Sequence, residues 1–182
     1  MKSKSTFLYV LRLSVTLLLI TGCMAAALAG VNMITAPIIA QANEAKTQEA
    51  VEAVLPGGGE AVDFTDNTGL VAKVYASETG YAVQVKPSGF DGEIDMMVGI
   101  DKDGKVLGIS VISHTETAGL GAVAAADNAK GEAFRNQFAG MSGSVAVSKD
   151  GGEVDAITGA TITSRAVCDG INAALACVEN FG

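Results

Sequence analysis

The fold is decided by ten residues near the C-terminus, Asp155-Ala156-Ile157-Thr158-Gly159-Ala160-Thr161-Ile162-Thr163-Ser164. An amphipathic segment follows them. Its apolar residues recur at helical spacing and mark one face, namely Val167, Ile171, Ala174, Leu175 and Val178. We therefore predict a C-terminal helix, with the hydroxyl of Thr163 or Ser164 as its N-cap.

Hydroxyl side chains crowd the start of this helix around a Gly-Ala pair. Small residues let a ligand approach the backbone closely. The free N–H groups of a first helical turn, together with the positive end of the helix dipole, favour an anion such as phosphate. From the residues alone two interpretations stay open, a phosphate site and a helix cap with spare hydroxyls.

Upstream of this stretch the chain alternates short β-rich runs with turns. Four runs predict strands, at residues 70–76, 81–86, 94–100 and 106–113, and a shorter one is predicted at 145–147. Asp103-Gly104 lies between the third and fourth runs and indicates a hairpin. Residues 115–121 predict a polar loop, and residues 122–138 predict helical structure around Phe134 and Phe138. Asp95, Asp101 and Asp103 are interpreted as turn and strand-edge residues.

This pattern predicts an α+β protein. We expect an N-terminal transmembrane helix followed by a single domain, in which flanking helices pack on one side of a mostly antiparallel sheet.

The N-terminus is basic and then apolar. Lys2, Lys4 and Arg12 precede residues 13–31, which carry no charge and are just long enough to cross a bilayer as a helix. We predict a cytoplasmic N-terminus at 1–12, an anchor at 13–34, a helical stalk at 35–56 and a domain at 57–182. The basic side stays in the cytoplasm, so the domain is expected on the far side of the membrane.

Two other interpretations of this segment stay open. One is a cleaved signal peptide, and the other is a lipoprotein signal, because residues 20–23 end in Cys23 and resemble a lipobox. The apolar run continues past both candidate cleavage sites to Ile39, which favours an uncleaved single-span anchor.

Composition excludes several classes of function. The net charge of −8, from 20 acidic and 12 basic residues, gives no basic face for nucleic acid, and there is no Trp for base stacking. Three cysteines and one histidine supply too few ligands for a zinc or iron–sulfur site. Cys168 and Cys177 point to opposite faces of the predicted helix, so we expect no disulfide between them.

Asp155-x-x-Thr158-Gly159-Ala160-Thr161 resembles the flavinylation motif of the FMN-binding domain family. In that family the last Thr of the motif is esterified to the phosphate of FMN by a separate flavin transferase, which uses FAD and a divalent metal. The resemblance implies that Thr161 is the covalent acceptor and that the transferase reads Asp155. It implies cofactor contacts at Thr158, Gly159, Ala160 and Thr163.

Two further segments support this resemblance. Residues 113–121 are similar to the family loop His-x-Glu-Thr-Pro-Gly-Leu-Gly, with Ala118 in place of Pro, and imply flavin contacts at Glu116, Thr117, Leu120 and Gly121. Residues 88–94 are similar to a glycine-aromatic turn of the family. We expect His114 to be a hydrogen-bonded loop residue. Arg165 is expected either to pair with the phosphate or to be solvated.

The family includes the G subunit of Rnf-type electron transport complexes and the C subunit of the sodium-translocating NADH:quinone oxidoreductase. The short chain favours the Rnf-type branch. The resemblance therefore implies a non-catalytic electron carrier of an ion-translocating ferredoxin:NAD+ oxidoreductase complex. It implies membrane subunits as partners and a single-pass location in the inner or plasma membrane, with the domain on the periplasmic or extracellular side. The alternatives are the C subunit of the sodium-translocating NADH:quinone oxidoreductase and a cofactor-free, membrane-anchored exported structural or assembly protein.

Overall fold

The computed structural model describes residues 2–179 and 181, with side chains from residue 7 onward. The side chains of Lys2 and Lys4, which entered the topology argument, lie outside the described part. The elements, in chain order, are α1 Lys2–Val54, β1 Glu60–Val62, β2 Val71–Ala76, β3 Gly80–Val85, β4 Asp95–Asp101, β5 Val106–Ser113, a first 3₁₀ turn Gly121–Ala125, α2 Ala129–Asn136, a second 3₁₀ turn Ser148–Asp150 and α3 Thr161–Glu179.

The chain divides into two compact units, and the second begins at Lys46. The first unit consists of α1 up to Ala45, and the helix runs without a break through Pro37. Over Phe7–Val54 this helix is long and apolar enough to cross a membrane, with a mean hydropathy of 2.0 in its most apolar window. Its large side chains are exposed, including Leu17, Leu18 and Leu28. Apolar surface of this extent requires an apolar surrounding, as expected for an anchor.

The second unit is built on a five-stranded antiparallel sheet in the order β1-β2-β3-β4-β5. The four longer strands confirm the predicted runs. β1 was missed, because its three residues are mostly exposed and carry little periodicity. The predicted strand at 145–147 is wrong. Val147 forms only an isolated parallel bridge with Val154, since the chain turns at once into the second 3₁₀ turn.

Both faces of the sheet are covered, so the expectation of helices on one side is wrong. Alternation in β4 turns Met96 and Val98 toward the large cluster that contains Ile171 of α3, and Met97 toward a smaller cluster. The smaller cluster includes Val51 and other residues from the C-terminal end of α1. The end of the segment that we predicted to be stalk, from Lys46 onward, therefore supplies the second layer of the domain.

The C-terminal helix is confirmed, but its predicted cap is wrong. α3 begins at Thr161, so Thr163 and Ser164 lie inside the first turn. Cys168 and Cys177 are free and buried, as expected. Burial, reinforced by the charge of Asp169, raises the pKa of Cys168 to about 11 and keeps its thiol neutral.

The helical content predicted at 122–138 is present in two pieces. The first 3₁₀ turn ends at Ala125, and Asn128 caps α2 by accepting from the N–H groups of Lys130 and Gly131. Phe134 and Phe138 meet edge to face with ring centroids 5.3 Å apart. This aromatic pair packs α2 and the residues that follow it against the core of the sheet.

Gly99 lets the end of α1 lie directly on β4. A Cβ at Gly99 would collide with the carbonyl oxygen of Val54. We predict that Gly99→Ala destabilises the protein by about 1–3 kcal/mol, the usual cost of overpacking. Thermal unfolding of the detergent-solubilised chain, followed by circular dichroism, measures this.

The matched control is Gly108→Ala. Gly108 is the cross-strand partner of Gly99 in β5, but a Cβ there meets nothing within 4 Å. Equal midpoints for the two variants would contradict the packing of α1 on β4.

Candidate functional site

A hollow of about 380 Å³ opens at the N-terminal end of α3, and we call it the Thr161 hollow. Eight of the ten predicted site residues line it, and they come from the loop after β5 and the start of α3: Glu116, Thr117, Leu120, Gly121, Gly159, Ala160, Thr161 and Thr163. The structure thus brings together the two sequence segments singled out above. Phe90, Lys149 and Ile162 also line the hollow, and they were not among the predicted site residues.

The carboxylate of Glu116 ties the walls of the hollow together. Its Oε1 accepts from the backbone N–H of Phe90 at 2.7 Å and of Asp91 at 3.2 Å, and its Oε2 accepts from the Thr163 hydroxyl at 2.6 Å. Glu116 and Thr163 are both buried. Three donors compensate the loss of water around one carboxylate, so the group can be buried without a cation. Glu116 and Thr163 therefore act first as structural residues of the wall.

Two glycines make room for this carboxylate. A Cβ on Gly89 would collide with Glu116 Oε1, and one on Gly121 would collide with Glu116 Oε2. The family-like turn at 88–94 thus meets the loop after β5 through a contact that only glycine permits.

Ser164 fastens the small-residue loop to the first turn of α3. Its hydroxyl donates to the Ala160 carbonyl and accepts from the Ile157 N–H, both at 3.0 Å. Gly159 has a φ of +79°, and Ala160 N–H closes the loop on the Ile157 carbonyl at 2.9 Å. The first N–H bonded four residues back within the helix is that of Ser164. The amides of residues 161–163 therefore precede the helical ladder and remain at its positive end.

The hydroxyl of Thr161 lies beside a cation. Lys149 Nζ, from the second 3₁₀ turn, donates to Thr161 Oγ1 at 3.3 Å. Within the described part of the hollow, Lys149 is the one basic lining residue and Glu116 the one acidic lining residue. Sequence analysis did not identify Lys149 as a site residue. Its segment, Lys149-Asp150-Gly151-Gly152, indicated only a turn, and Lys149 lies twelve residues before the predicted acceptor.

Arg165 is an exposed residue of α3, which agrees with the second of the two expectations, and its charge is paired with a carboxylate of the protein. Its Nε and Nη2 donate to the two oxygens of Asp150 at 2.6 and 2.7 Å. The hydrogen bond from Arg165, and then its charge, hold the pKa of Asp150 below its ordinary value. Arg165 therefore does not point its charge at the hollow.

The remaining two predicted residues, Asp155 and Thr158, line a different hollow, which we call the Asp155 hollow. It includes Lys130, Phe134 and Gln137 of the α2 region. The backbone of Asp155 is clamped by Gln137, whose Oε1 accepts from Asp155 N–H at 2.7 Å and whose Nε2 donates to its carbonyl at 3.2 Å. The carboxylate itself is left at an exposed position. The motif thus presents its acid and its predicted acceptor to two separate hollows.

His114 lies in the loop after β5 without the predicted hydrogen bond at one of its nitrogens. Its Nδ1 is buried and has no partner. The expectation of a hydrogen-bonded loop histidine is therefore not met at Nδ1. The carboxyls of the other loops behave as predicted, since Asp101 Oδ1 caps its own turn by accepting from Asp103 and Lys105 N–H.

Comparison with known proteins identifies the family. Residues 89–176 match the FMN-binding domain, a range that contains the lining residues of the Thr161 hollow. The chain is 33% identical to the G subunit of the Na(+)-translocating ferredoxin:NAD(+) oxidoreductase complex of Acetobacterium woodii, over 94% of this chain and 93% of that relative. It is 35% identical to the G subunit of the proton-translocating ferredoxin:NAD(+) oxidoreductase complex of Clostridium ljungdahlii, over 85% and 83%.

The chain belongs to the family of G subunits of ion-translocating oxidoreductase complexes. A third relative, the G subunit of the ion-translocating oxidoreductase complex of Methanosarcina acetivorans, is 31% identical over 88% of this chain and 90% of its own length. The family assignment and the long apolar helix agree with a membrane-anchored protein that carries an FMN-binding domain.

The residues of the Thr161 hollow fit FMN at both ends of that molecule. A phosphate here would lie near a hydroxyl, an ammonium and the amides of a helical start. A ring would lie near apolar surface. Among the described residues of the second unit, four large apolar side chains are exposed, and three of them, Phe90, Leu120 and Ile162, line this hollow. The fourth is Leu107. A planar aromatic ligand would cover the three lining side chains.

Removing the Glu116 carboxylate should open the hollow. Glu116→Ala leaves the Phe90 and Asp91 amides and the Thr163 hydroxyl without their acceptor. We predict a loss of about 2–3 kcal/mol in the free energy of unfolding, measured by urea denaturation. Glu116→Gln keeps an oxygen for the two amides and should lose less. Glu153→Ala, at an exposed position, is the control. A loss in Glu116→Ala no larger than in this control would refute the role assigned to the carboxylate.

Proposed function

We propose that this chain carries FMN as a phosphoester on Thr161 and serves as a non-catalytic electron carrier of an ion-translocating ferredoxin:NAD+ oxidoreductase complex of the Rnf type. The observation that carries the proposal is the position of the Thr161 hydroxyl. It opens on a hollow with apolar walls, at the first residue of α3 and beside an ammonium. Family membership supports the cofactor, and the motif supports the acceptor.

Bound FMN would supply one- and two-electron transfer. The contribution of the chain is to hold and orient. Phe90, Leu120 and Ile162 offer the apolar surface against which a ring can pack and exclude water. Gly159 and Gly121 let a ligand approach the backbone. The tie through Glu116 and Thr163 keeps the two walls at a fixed separation, which sets the burial that tunes a flavin potential.

Attachment is proposed to be the work of a separate flavin transferase. The Thr161 Oγ1 forms the new bond to the FMN phosphorus of FAD, the phosphoanhydride bond to AMP breaks, and AMP leaves. The hydroxyl proton passes to a base of the transferase. Asp155 and Thr158 face away from the Thr161 hollow, so they are free to be read by that partner while the acceptor enters its active site.

The proposed arrangement in the cell follows from the first unit. Residues 13–34 form a single-pass anchor, the basic residues before it stay in the cytoplasm, and the domain lies on the periplasmic or extracellular side. A covalent link suits this location, because a cofactor lost there is not replaced from the cytoplasmic pool. The last residues of the proposed stalk at 35–56 belong to the second compact unit, which begins at Lys46 and so before the predicted domain boundary at 57.

The partners are proposed to be the other membrane subunits of the complex. Relatives named for sodium and for proton translocation match this chain at similar identity, 33% and 35%. This agrees with an electron-carrying role here and with ion translocation in partner subunits. The alternative function, a cofactor-free assembly protein, does not account for three exposed apolar side chains around one hydroxyl.

The acceptor is tested by co-expression of the full chain with a flavin transferase. We predict one FMN per wild-type chain by intact mass and in-gel fluorescence. Thr161→Val keeps the shape of the side chain but lacks the hydroxyl and should carry none, whereas Thr161→Ser should be labelled. Thr79→Ala, at an exposed turn, is the control.

Two results would overturn the proposal. Covalent flavin on Thr161→Val would refute the acceptor. A wild-type chain of unmodified mass, in the presence of a transferase that labels another member of the family, would favour the cofactor-free alternative.

A further inference from the structure

We propose that Lys149 is the phosphate-binding cation of this site and that the Asp150–Arg165 pair is the brace that aims it at Thr161. This inference rests on the proposed function, since it assigns the residue that neutralises the FMN phosphate. No feature of the motif itself supplies a positive side chain to the hollow. The cation comes instead from a separate turn, twelve residues before the acceptor.

The position of Lys149 is built by the fold. The chain enters the second 3₁₀ turn from Val147 and leaves it through Gly151, whose φ is +87°. It then returns so that Ser148 N–H donates to the Val154 carbonyl at 2.8 Å. Gly152 lies against the backbone of Ala146, where a Cβ would collide with the carbonyl group. The turn is therefore closed on itself, and Lys149 lies at its centre.

The brace comes from the helix that carries the acceptor. Arg165 follows Thr161 by four residues, so the two side chains lie on the same face of α3. Arg165 binds both oxygens of Asp150, the neighbour of Lys149. A bidentate pair fixes orientation as well as distance. Thr161 and Arg165 thus lie on one face of α3. Thr161 carries the hydroxyl, and Arg165 binds the turn that carries Lys149.

Charge explains why Lys149 and Arg165 have different roles. Asp150 neutralises Arg165, and this leaves Lys149 free to meet an anion. The other charge of the hollow, Glu116, accepts hydrogen bonds from three donors of the protein. A phosphate at Thr161 would therefore meet one positive side chain and the positive end of α3, while both oxygens of Asp150, the carboxylate next to Lys149, are bound by Arg165.

The test separates phosphate recognition from general folding by comparing two ligands. In the full detergent-solubilised chain carrying Thr161→Val, FMN and riboflavin binding are titrated by flavin fluorescence. Lys149→Gln should weaken FMN binding about three- to tenfold, the range for a charge-assisted contact at an exposed site, and leave riboflavin binding unchanged. Lys149→Arg should restore most of the affinity for FMN. Lys102→Gln, at an exposed position in the β4–β5 turn, is the matched control.

Ionic strength supplies a second readout. The difference in FMN affinity between chains with and without Lys149→Gln should shrink toward about 1 M salt, where the Debye length is about 3 Å. The brace is tested by Arg165→Gln, which should reproduce part of the loss for FMN and none for riboflavin. An equal loss for both ligands would show a structural role for Lys149 and overturn the inference.

If the Thr161→Val chain binds neither FMN nor riboflavin, a third experiment tests the role of Lys149. The initial rate of attachment from FAD by purified transferase is then compared between wild type, Lys149→Gln and Lys149→Arg. A lower rate for Lys149→Gln, restored in Lys149→Arg, supports the inference, and equal rates overturn it. Failure of the wild-type chain to accept any flavin would instead count against the proposed function.

Discussion

The buried carboxylate of Glu116 is the interaction on which the rest of the site depends. Three polypeptide segments that are far apart in sequence meet at its two oxygens: the turn before β4, the loop after β5 and the first turn of α3. The contact with Thr163 is buried and the two amide contacts are partly buried, so the carboxylate holds the three segments in register. The same arrangement leaves little room for a Cβ at Gly89 or Gly121, and it uses the hydroxyl proton of Thr163.

Around Glu116 the domain combines a sheet that is covered on both faces with the predicted acceptor at the start of α3. The meander is covered on both faces, by α3 on one and by the end of α1 on the other, and the acceptor sits where α3 begins. The first turn is held by Ser164 from within and by Arg165 through Asp150 from the side. The hydroxyl of Thr161 is thus a functional group on a half-buried residue whose backbone is well supported. Such an arrangement suits a residue that must enter the active site of a modifying enzyme and later hold a cofactor still.

Much of this could be predicted from the sequence, and the failures have a common physical cause. Periodicity gave the four long strands and the face of α3, and the motifs gave most of the lining of the Thr161 hollow. Lys149 could not be found this way, because its contact with Thr161 depends on how one turn closes and is braced. Nor could the sequence separate Asp155 and Thr158 from Thr161, since the loop at 157–160 turns them to another hollow. The packing of α1 on the sheet was missed for a similar reason, because helix-forming residues alone do not reveal what a helix covers.

The central claim is the chemical bond at Thr161, and peptide mass spectrometry of the natively produced protein tests it most directly. Trypsin cleaves after Lys149 and Arg165, so one peptide, residues 150–165, contains the whole motif and all its hydroxyls. We expect this peptide to be fluorescent, and we expect fragmentation to place a single FMN phosphoryl group on Thr161. An unmodified peptide as the only species, or a flavin placed on Thr158 or Thr163, would contradict the claim.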